Sequence, residues 1–190
     1  MVKNHLFKFE APFHLENGEW LPELELAYTT YGELNADKSN VVWVCHAFTG
    51  NANPSDWWSG LIGEKRLFNP KHYFVICVNV LGSHYGSTNA LSVNPLTGQQ
   101  YFHDFPFVSI RDVVNSLILL RKNLEIDSIA YLLGGSLGGQ QALEWSVLEP
   151  EVLQMPSILL GALLSTKAKG WQFPTIQLGS PAHQTPVWKG

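Results

Sequence analysis

Residues 128–145 read SIAYLLGGSLGGQQALEW and decide the fold of this protein. The stretch from Ser128 to Leu133 is short and apolar, which predicts a buried strand. The stretch from Leu137 to Leu148 is rich in Gln, Ala, Leu and Glu, which predicts a helix. Ser136 therefore lies in a tight, glycine-rich turn that joins a buried strand to a helix.

The turn around Ser136 has the G-x-S-x-G pattern, which is typical of a nucleophilic serine when it lies between a strand and a helix. We expect a strained serine, flanked by glycines because a Cβ atom there would collide with the strand or the helix. The amide of Leu137 is a candidate donor to an oxyanion, since the first amides of a helix lack a helical acceptor. Two alternatives are a capping turn in which Ser136 is only the N-cap, and a phosphate-binding loop, although no G-K-[ST] sequence is present.

The elements before this turn predict an α/β fold with a mostly parallel sheet and flanking helices. Asn40–Cys45 and Tyr73–Val80 are continuous apolar runs, the pattern of strands that are covered on both faces. Apolar residues recur at helical spacing in 109–124, which predicts an amphipathic crossover helix. The alternating pattern of Glu23–Tyr31 predicts an early antiparallel strand or hairpin arm.

The loop that follows the strand ending at Cys45 reads HAFTG over residues 46–50. A loop at this position supplies the second half of the oxyanion hole in folds with the G-x-S-x-G turn, so the backbone N–H of Phe48 is the second candidate donor. We interpret His46 as a residue that shapes the loop. The alternatives are a metal ligand or a general base, but no second His or acid stands at metal-ligand spacing beside it.

The composition limits the class of protein. The chain has 190 residues, of which 45% are hydrophobic and 15% charged, and a formal net charge of -4 without a run of Lys or Arg. We therefore expect one globular domain with small-molecule partners, and neither nucleic acid nor a membrane. No pattern typical of a zinc, flavin or nicotinamide site occurs, so no metal or cofactor is expected. Cys45 and Cys77 lie in apolar runs, and we interpret them as reduced core thiols of a cytoplasmic protein.

Four linked motifs closely resemble the homoserine O-acetyltransferase family. They are HAFTG at 46–50, NVLG at 79–82 leading to GST at 86–88, NPLTG at 94–98, and GGSLGGQQALEW at 134–145. The resemblance spans about residues 5–153 and implies an α/β-hydrolase fold. It implies that Ser136 takes acetyl from acetyl-CoA and passes it to the hydroxyl of homoserine, in methionine biosynthesis. Some relatives use succinyl-CoA or another hydroxy amino acid, and a homodimer is common in the family.

The chain departs from the family pattern in one loop and does not visibly complete a catalytic triad. Asn89-Ala90 replaces the usual Gly-Pro, and His84 stands where Cys is common, so we expect a slightly reshaped loop. In this fold an acid and then a histidine follow the serine. After Ser136 the sequence has no Asp, one histidine, His183, and three acids on or just past the predicted helix: Glu144, Glu149 and Glu151. His84 and His103 precede the serine, and could reach it only by an arrangement that this fold does not normally use.

The resemblance stops near residue 154. We interpret residues 1–153 as the N-terminal part of an α/β-hydrolase core domain and residues 154–190 as an atypical, frameshifted or disordered tail. An ordinary Pro-rich surface tail is the alternative. All 16 acidic residues lie within 1–151, whereas the only later charges are Lys167, Lys169 and Lys189. We therefore expect this chain to be an acyltransferase that is weakly active or inactive.

Two alternatives to an acyltransferase remain open, a serine esterase or thioesterase and a non-catalytic remnant. The two enzymes differ only in the acceptor of the acyl group, which is water for the esterase. The pair Trp57-Trp58 is interpreted as packing, with lining of the acyl pocket as the alternative.

Overall fold

The computed structural model of the protein describes residues 2–154. They form a five-stranded sheet of order β1-β4-β6-β5-β7 and a separate two-stranded ribbon, β2-β3. The strands are β1 (Val2–Phe9), β2 (Phe13–His14), β3 (Trp20–Leu21), β4 (Leu24–Tyr31), β5 (Val41–Cys45), β6 (Phe74–Val78) and β7 (Tyr131–Gly134). The helices are α1 (Pro54–Trp57), α2 (Ile110–Asn123) and α3 (Leu137–Leu148).

The sheet is mixed, and most of its strands run in one direction. β5 pairs in parallel with both β6 and β7, whereas β4 is antiparallel to β6 and to β1. β1, β5, β6 and β7 therefore share a direction that β4 opposes. The α/β fold and the mostly parallel sheet predicted from the sequence are confirmed.

The order in which successive strands are added to the sheet reverses at β5. From β5 the chain moves to β6 on one side, and α2 then carries it back to β7 on the other side. The parallel register places Cys45 opposite Gly134, so the carboxyl ends of β5 and β7 lie side by side. In open α/β sheets this kind of position is where ligands bind. The turn that contains Ser136 follows β7 at this edge, and the HAFTG loop follows β5.

Most of the predicted elements are present with small shifts in their ends. α2 begins one residue after Ser109, which caps it in a reciprocal pair of hydrogen bonds with Asp112. β7 begins later than predicted, because Ile129 forms only an isolated parallel bridge with Leu153. The sequence did not predict β1. Its polar and apolar residues do not alternate regularly, since Lys3, Asn4 and His5 are consecutive, and the segment is a strand because it pairs with β4.

Each face of the sheet has its own apolar core, because successive strand residues point to opposite faces. The helix face, so named because α2 and α3 pack on it, contains Trp43 and Trp145 among its buried residues. The opposite face contains Val42, Val44 and Phe68. Two of the residues that cover it, Leu61 and Phe68, belong to the connection between β5 and β6.

Both cysteines are buried free thiols on neighbouring strands. Cys45 belongs to the helix-face core and Cys77 to the core of the opposite face. Burial raises the pKa of Cys45 to about 12 and, as the largest cause, raises that of Cys77 as well. The interpretation of both residues as core thiols is confirmed.

Residues 155–190, which include His183 and nearly all of the predicted tail, lie outside the described residues. Within residues 2–154 no helix is long and apolar enough to span a membrane.

Candidate active site

Ser136 occupies the turn between β7 and α3 in a strained backbone conformation. Its φ is 55° and its ψ is -122°, in the left-handed half of the map that residues with a Cβ atom rarely adopt. The residue is exposed, and its side chain makes no capping hydrogen bond to the helix that follows. The strain predicted for this turn is confirmed. The alternative that Ser136 serves only as an N-cap is wrong, because the hydroxyl does not cap α3.

Two glycines allow the strand, the turn and the helix to approach one another. A Cβ atom on Gly134 would lie 2.1 Å from the carbonyl oxygen of Gly138. A Cβ atom on Gly138 would lie 2.0 Å from the carbonyl oxygen of Cys45. Since real Cβ atoms do not come this close to backbone atoms, only glycine fits either position. The glycines of the motif are thus explained by packing around Ser136.

The amide of Leu137 has no hydrogen-bond acceptor among the described residues. The next three amides are used within the turn: Gly138 donates to Gly135 O at 2.9 Å, and Gly139 and Gln140 donate to Ser136 O at 3.0 and 3.2 Å. Leu137 follows Ser136 directly, at the amino end of α3. Its amide is therefore available to an oxygen atom bound at Ser136, as predicted for an oxyanion-hole donor.

The second candidate donor, Phe48, lies in a tight turn at the carboxyl end of β5. The amide of Gly50 donates to the carbonyl oxygen of Ala47 at 2.8 Å and closes the turn. This bond does not use the amide of Phe48, which has no acceptor within residues 2–154. The side chain of Phe48 is 71% exposed, so the residue is placed by its backbone rather than by packing.

His46 is 1% exposed, and both of its ring nitrogens are engaged. Nδ1 lies 2.7 Å from Ala47 O, and Nε2 accepts a hydrogen bond from the amide of Val80 at 3.1 Å. Burial lowers the pKa of the imidazole. With both nitrogens occupied, His46 serves as neither a general base nor a metal ligand in this conformation. The interpretation of His46 as a loop-shaping residue is confirmed.

Two contacts of His46 were not foreseen from the sequence. The amide of Val80 reaches the imidazole from the end of β6, and Gln141 of α3 donates Nε2–H to the carbonyl oxygen of His46 at 3.2 Å. Gln141 is fully buried. The one sequence feature that could have indicated the bond to Gln141 is a glutamine among the apolar and small residues of the predicted helix. If such a side chain is buried, its amide needs a hydrogen-bond partner.

The acids that follow Ser136 are held in ion pairs or exposed. Glu144 accepts from Arg111 Nε at 2.7 Å and is 2% exposed, and this hydrogen bond is the largest cause that raises the pKa of Arg111. Glu149 accepts from Arg121 Nη2 at 2.9 Å. Glu151 is exposed. The carboxylates of Glu144 and Glu149 are thus paired with arginines of α2 rather than with the nucleophile.

No histidine in the described part of the chain is hydrogen-bonded to Ser136. His84 is exposed, with its ring 4.2 Å from that of Tyr85. His103 is exposed in a short 3₁₀ turn, Phe102–Asp104. Nor do residues 2–154 contain a group of three His, Cys, Asp or Glu side chains that could hold a metal ion.

Trp57 and Trp58 stack on each other with ring centroids 5.6 Å apart. Trp58 packs against the core of the opposite face. Trp57 donates Nε1–H to the carbonyl oxygen of Asn51 at 3.1 Å and remains 37% exposed. The packing interpretation is confirmed for Trp58, and Trp57 helps to fix the end of the HAFTG loop.

Comparison with protein families and curated proteins gives consistent results. The α/β hydrolase fold family matches residues 40–169. The chain is 48% identical over 170 residues to a homoserine O-acetyltransferase of Cyclobacterium marinum. The aligned stretch covers 90% of this chain and 48% of the relative. The chain is also 48% identical over 165 residues to the homoserine O-acetyltransferase of Chlorobaculum tepidum, which covers 87% and 46%. The chain spans about half the length of the curated relatives it matches.

Solved structures show the same architecture with two different activities. Esterase E22 superposes with a TM-score of 0.74 at 30% identity, over 80% of this chain and 46% of that one. A homoserine O-acetyltransferase from Bacillus anthracis superposes with a TM-score of 0.72 at 32% identity, over 80% and 45%. The similarity of structure alone does not separate transfer to an alcohol from transfer to water.

Proposed function

The chain belongs to the α/β-hydrolase fold family, and on this premise we propose that Ser136 is the nucleophile of an acyltransferase of the homoserine O-acetyltransferase type. The observation that carries the proposal is the backbone conformation of Ser136, with φ 55° and ψ -122°. Backbone strain of this kind persists where the surrounding structure imposes it, and it is concentrated at active sites. Here Gly134 and Gly138 let strand and helix approach closely on either side of Ser136, and its hydroxyl has no hydrogen-bond partner within residues 2–154.

The proposed reaction has two steps. Ser136 Oγ bonds to the thioester carbonyl carbon of acetyl-CoA, the C–S bond breaks, and coenzyme A leaves as the thiol with the serine proton. The hydroxyl of homoserine then attacks the acetyl-serine, which releases the O-acetyl product and restores Ser136. In both steps the carbonyl oxygen becomes an oxyanion, and the amides of Phe48 and Leu137 are the proposed donors.

The serine needs a base to remove its proton, because a hydroxyl is a weak nucleophile at neutral pH. Among residues 2–154 no histidine is hydrogen-bonded to Ser136, and two of the three acids after it are in ion pairs. Loss of a triad member costs several orders of magnitude in rate. We therefore predict that this chain alone acetylates Ser136 slowly.

A serine esterase is the second candidate function, and the superposition on esterase E22 favours it. The first step would be the same, and water would replace homoserine in the second. The sequence identities to homoserine O-acetyltransferases, at 48% over most of the chain, favour the transferase.

The first experiment supplies a general base from solution. The chain is incubated with acetyl-CoA with and without imidazole, and acetylation of Ser136 is followed by peptide mass spectrometry. We expect imidazole to raise the rate by about tenfold or more, since general bases contribute about 10²- to 10⁴-fold. Ser136→Ala should remove the signal. Ser146→Ala is the matched control, because Ser146 lies on the same helix and its hydroxyl donates to Leu143 O at 2.7 Å.

The second experiment separates the two candidate functions. The acetylated chain is given homoserine, and the products are O-acetylhomoserine for a transferase and acetate for an esterase. Equal acetylation of wild type and Ser136→Ala would reject both enzymes. The same outcome would favour the non-catalytic remnant.

The substrates, the location, the oligomeric state and the domain boundary belong to this proposal as well. The substrates are small molecules, an acyl-CoA and an amino acid with a hydroxyl group. The location is cytoplasmic, which two buried free thiols support. A homodimer of the family type and a domain boundary near residue 153 stay predictions.

A further inference from the structure

His46 is hydrogen-bonded to three different parts of the molecule. Its imidazole bonds to the turn of the HAFTG loop through Ala47 O and to the end of β6 through the amide of Val80. Its carbonyl oxygen accepts from Gln141 of α3. A residue that is 1% exposed and bonded in three directions has little freedom to move.

The contacts of the imidazole determine its tautomer. Nε2 faces the amide N–H of Val80 and so must be the acceptor, at 3.1 Å. Nδ1 faces the carbonyl oxygen of Ala47 at 2.7 Å and so must carry the proton. A second proton on Nε2 would place two N–H groups against each other. The ring is therefore the neutral Nδ1–H form, which matches its lowered pKa.

Gln141 connects this loop to the helix that carries the nucleophile turn. It lies in α3, five positions after Ser136, and is fully buried. Its Nε2–H donates to His46 O at 3.2 Å. The same region is in close contact through Gly138, where an added Cβ atom would lie 3.0 Å from His46 O. Helix and loop are thus held together by a hydrogen bond and by backbone packing.

We propose that His46 and Gln141 form a clamp that holds the amide of Phe48 in position relative to Ser136. Ala47 O and the amide N–H of Phe48 belong to the same planar peptide group, so the bond from His46 Nδ1 to Ala47 O restrains the orientation of the Phe48 amide. His46 and Gln141 are positioning residues and do not touch the substrate. The clamp deepens the proposed function, because it fixes one donor of the oxyanion hole before an oxyanion forms.

Two substitutions separate the bonds of the imidazole. In His46→Asn the side-chain amide N–H replaces Nδ1–H and the bond to Val80 is lost, whereas in His46→Gln the side-chain oxygen replaces Nε2 and the bond to Ala47 O is lost. Gln141→Met removes only the bond to His46 O. His103→Gln is the control, because His103 is exposed and outside the clamp.

The measured quantities are the rate constant and the half-saturation constant for acetylation of Ser136 by p-nitrophenyl acetate in the presence of imidazole. We expect each clamp variant to lower the rate constant by about tenfold or more, since a small misplacement of a catalytic group can cost about 10²-fold. The half-saturation constant should change by less than about twofold, because the oxyanion exists only in the transition state. Rate constants within about twofold of wild type in all three folded variants would overturn the clamp.

Backbone NMR tests the clamp separately from the chemistry. We expect the Phe48 amide resonance to shift or broaden in Gln141→Met and in whichever His46 variants fold, and to stay unchanged in His103→Gln. An unchanged Phe48 resonance in Gln141→Met would overturn the clamp even if both His46 variants unfold. Failure of wild type to acetylate at Ser136 would reject the proposed function, and the NMR result would still decide on the clamp.

Discussion

On the helix face of the sheet, two helices cover a core that includes the paired rings of Trp43 and Trp145. On the opposite face, the connection between β5 and β6 covers a smaller core around Phe68. β5 contributes to both, with Trp43 on one side and Val42 and Val44 on the other. The difference shows which core positions the candidate nucleophile, because α3 packs on the helix face and begins at the turn of Ser136.

The largest effect is expected on the helix face, for Trp145→Ala. Trp145 is fully buried, meets Trp43 edge to face at 4.9 Å and donates Nε1–H to Glu149 at 3.1 Å. Its truncation should lower the free energy of unfolding by about 3–5 kcal/mol. The measurement is urea denaturation. Trp20→Ala is the control, since Trp20 is 45% exposed, and an equal loss in that variant would contradict the prediction.

A smaller loss is expected on the opposite face, for Phe68→Ala. Phe68 is 3% exposed, and its ring lies 5.3 Å from the rings of both Tyr73 and Tyr131. The two tyrosines are half-buried and can move into the space left, so we expect a loss of about 3 kcal/mol, at the low end for such truncations. Denaturation under the same conditions as Trp145→Ala gives the comparison. A larger loss for Phe68→Ala would reverse the proposed ranking of the two faces.

Gly138→Ala tests the close contact between the start of α3 and the end of β5, beside the candidate site. The new Cβ atom would meet Cys45 O, so α3 and the end of β5 must separate, at a cost of about 1–3 kcal/mol. Acetylation of Ser136 in the imidazole assay should fall as well, because the two candidate donors move apart. Gly60→Ala is the control, since no atom of residues 2–154 lies within 4 Å of its added Cβ atom. Normal stability and acetylation in Gly138→Ala would show that the close approach is not required.

The smallest expected effect is a loss of stability at alkaline pH. Burial raises the pKa of Cys45 from 9.0 to about 12, so the folded protein keeps a proton that the unfolded chain releases. The stabilising contribution is complete below pH 9 and is lost as the pH rises towards 12. At pH 10 the loss is about 1 kcal/mol. Denaturation of wild type and Cys45→Ala at pH 7 and pH 10 isolates this contribution, and an identical pH dependence of the two proteins would refute it.

The elements that the sequence predicted are those whose pattern is complete in their own residues. α3 has the predicted ends and β5 begins one residue later than predicted, since α3 follows a glycine turn and β5 is a continuous apolar run. β1 was missed because it lies at the edge of the sheet and buries only Phe7 fully, so its sequence has no regular alternation of polar and apolar residues. α1 has four residues, too few to show a helical period.

In the candidate site, too, the residues with a local sequence pattern were predicted and those fixed by contacts distant in sequence were not. Ser136, Leu137 and Phe48 were predicted because the turn and the loop after β5 have local sequence patterns. The clamp residue Gln141 was missed, because its contact with His46 joins residues 95 positions apart. The packing of Gly138 against Cys45 likewise depends on the parallel pairing of two strands that are distant in sequence.

The most direct test of the central claim is a crystal structure of the chain with a phosphonate bound covalently to Ser136. The phosphonyl oxygen stands in for the oxyanion of the acyl-transfer step. We predict that this oxygen accepts hydrogen bonds from the amides of Phe48 and Leu137 at about 2.7–3.1 Å. An adduct whose oxygen faces away from both amides, or a phosphonate that reacts at another residue, would contradict the account.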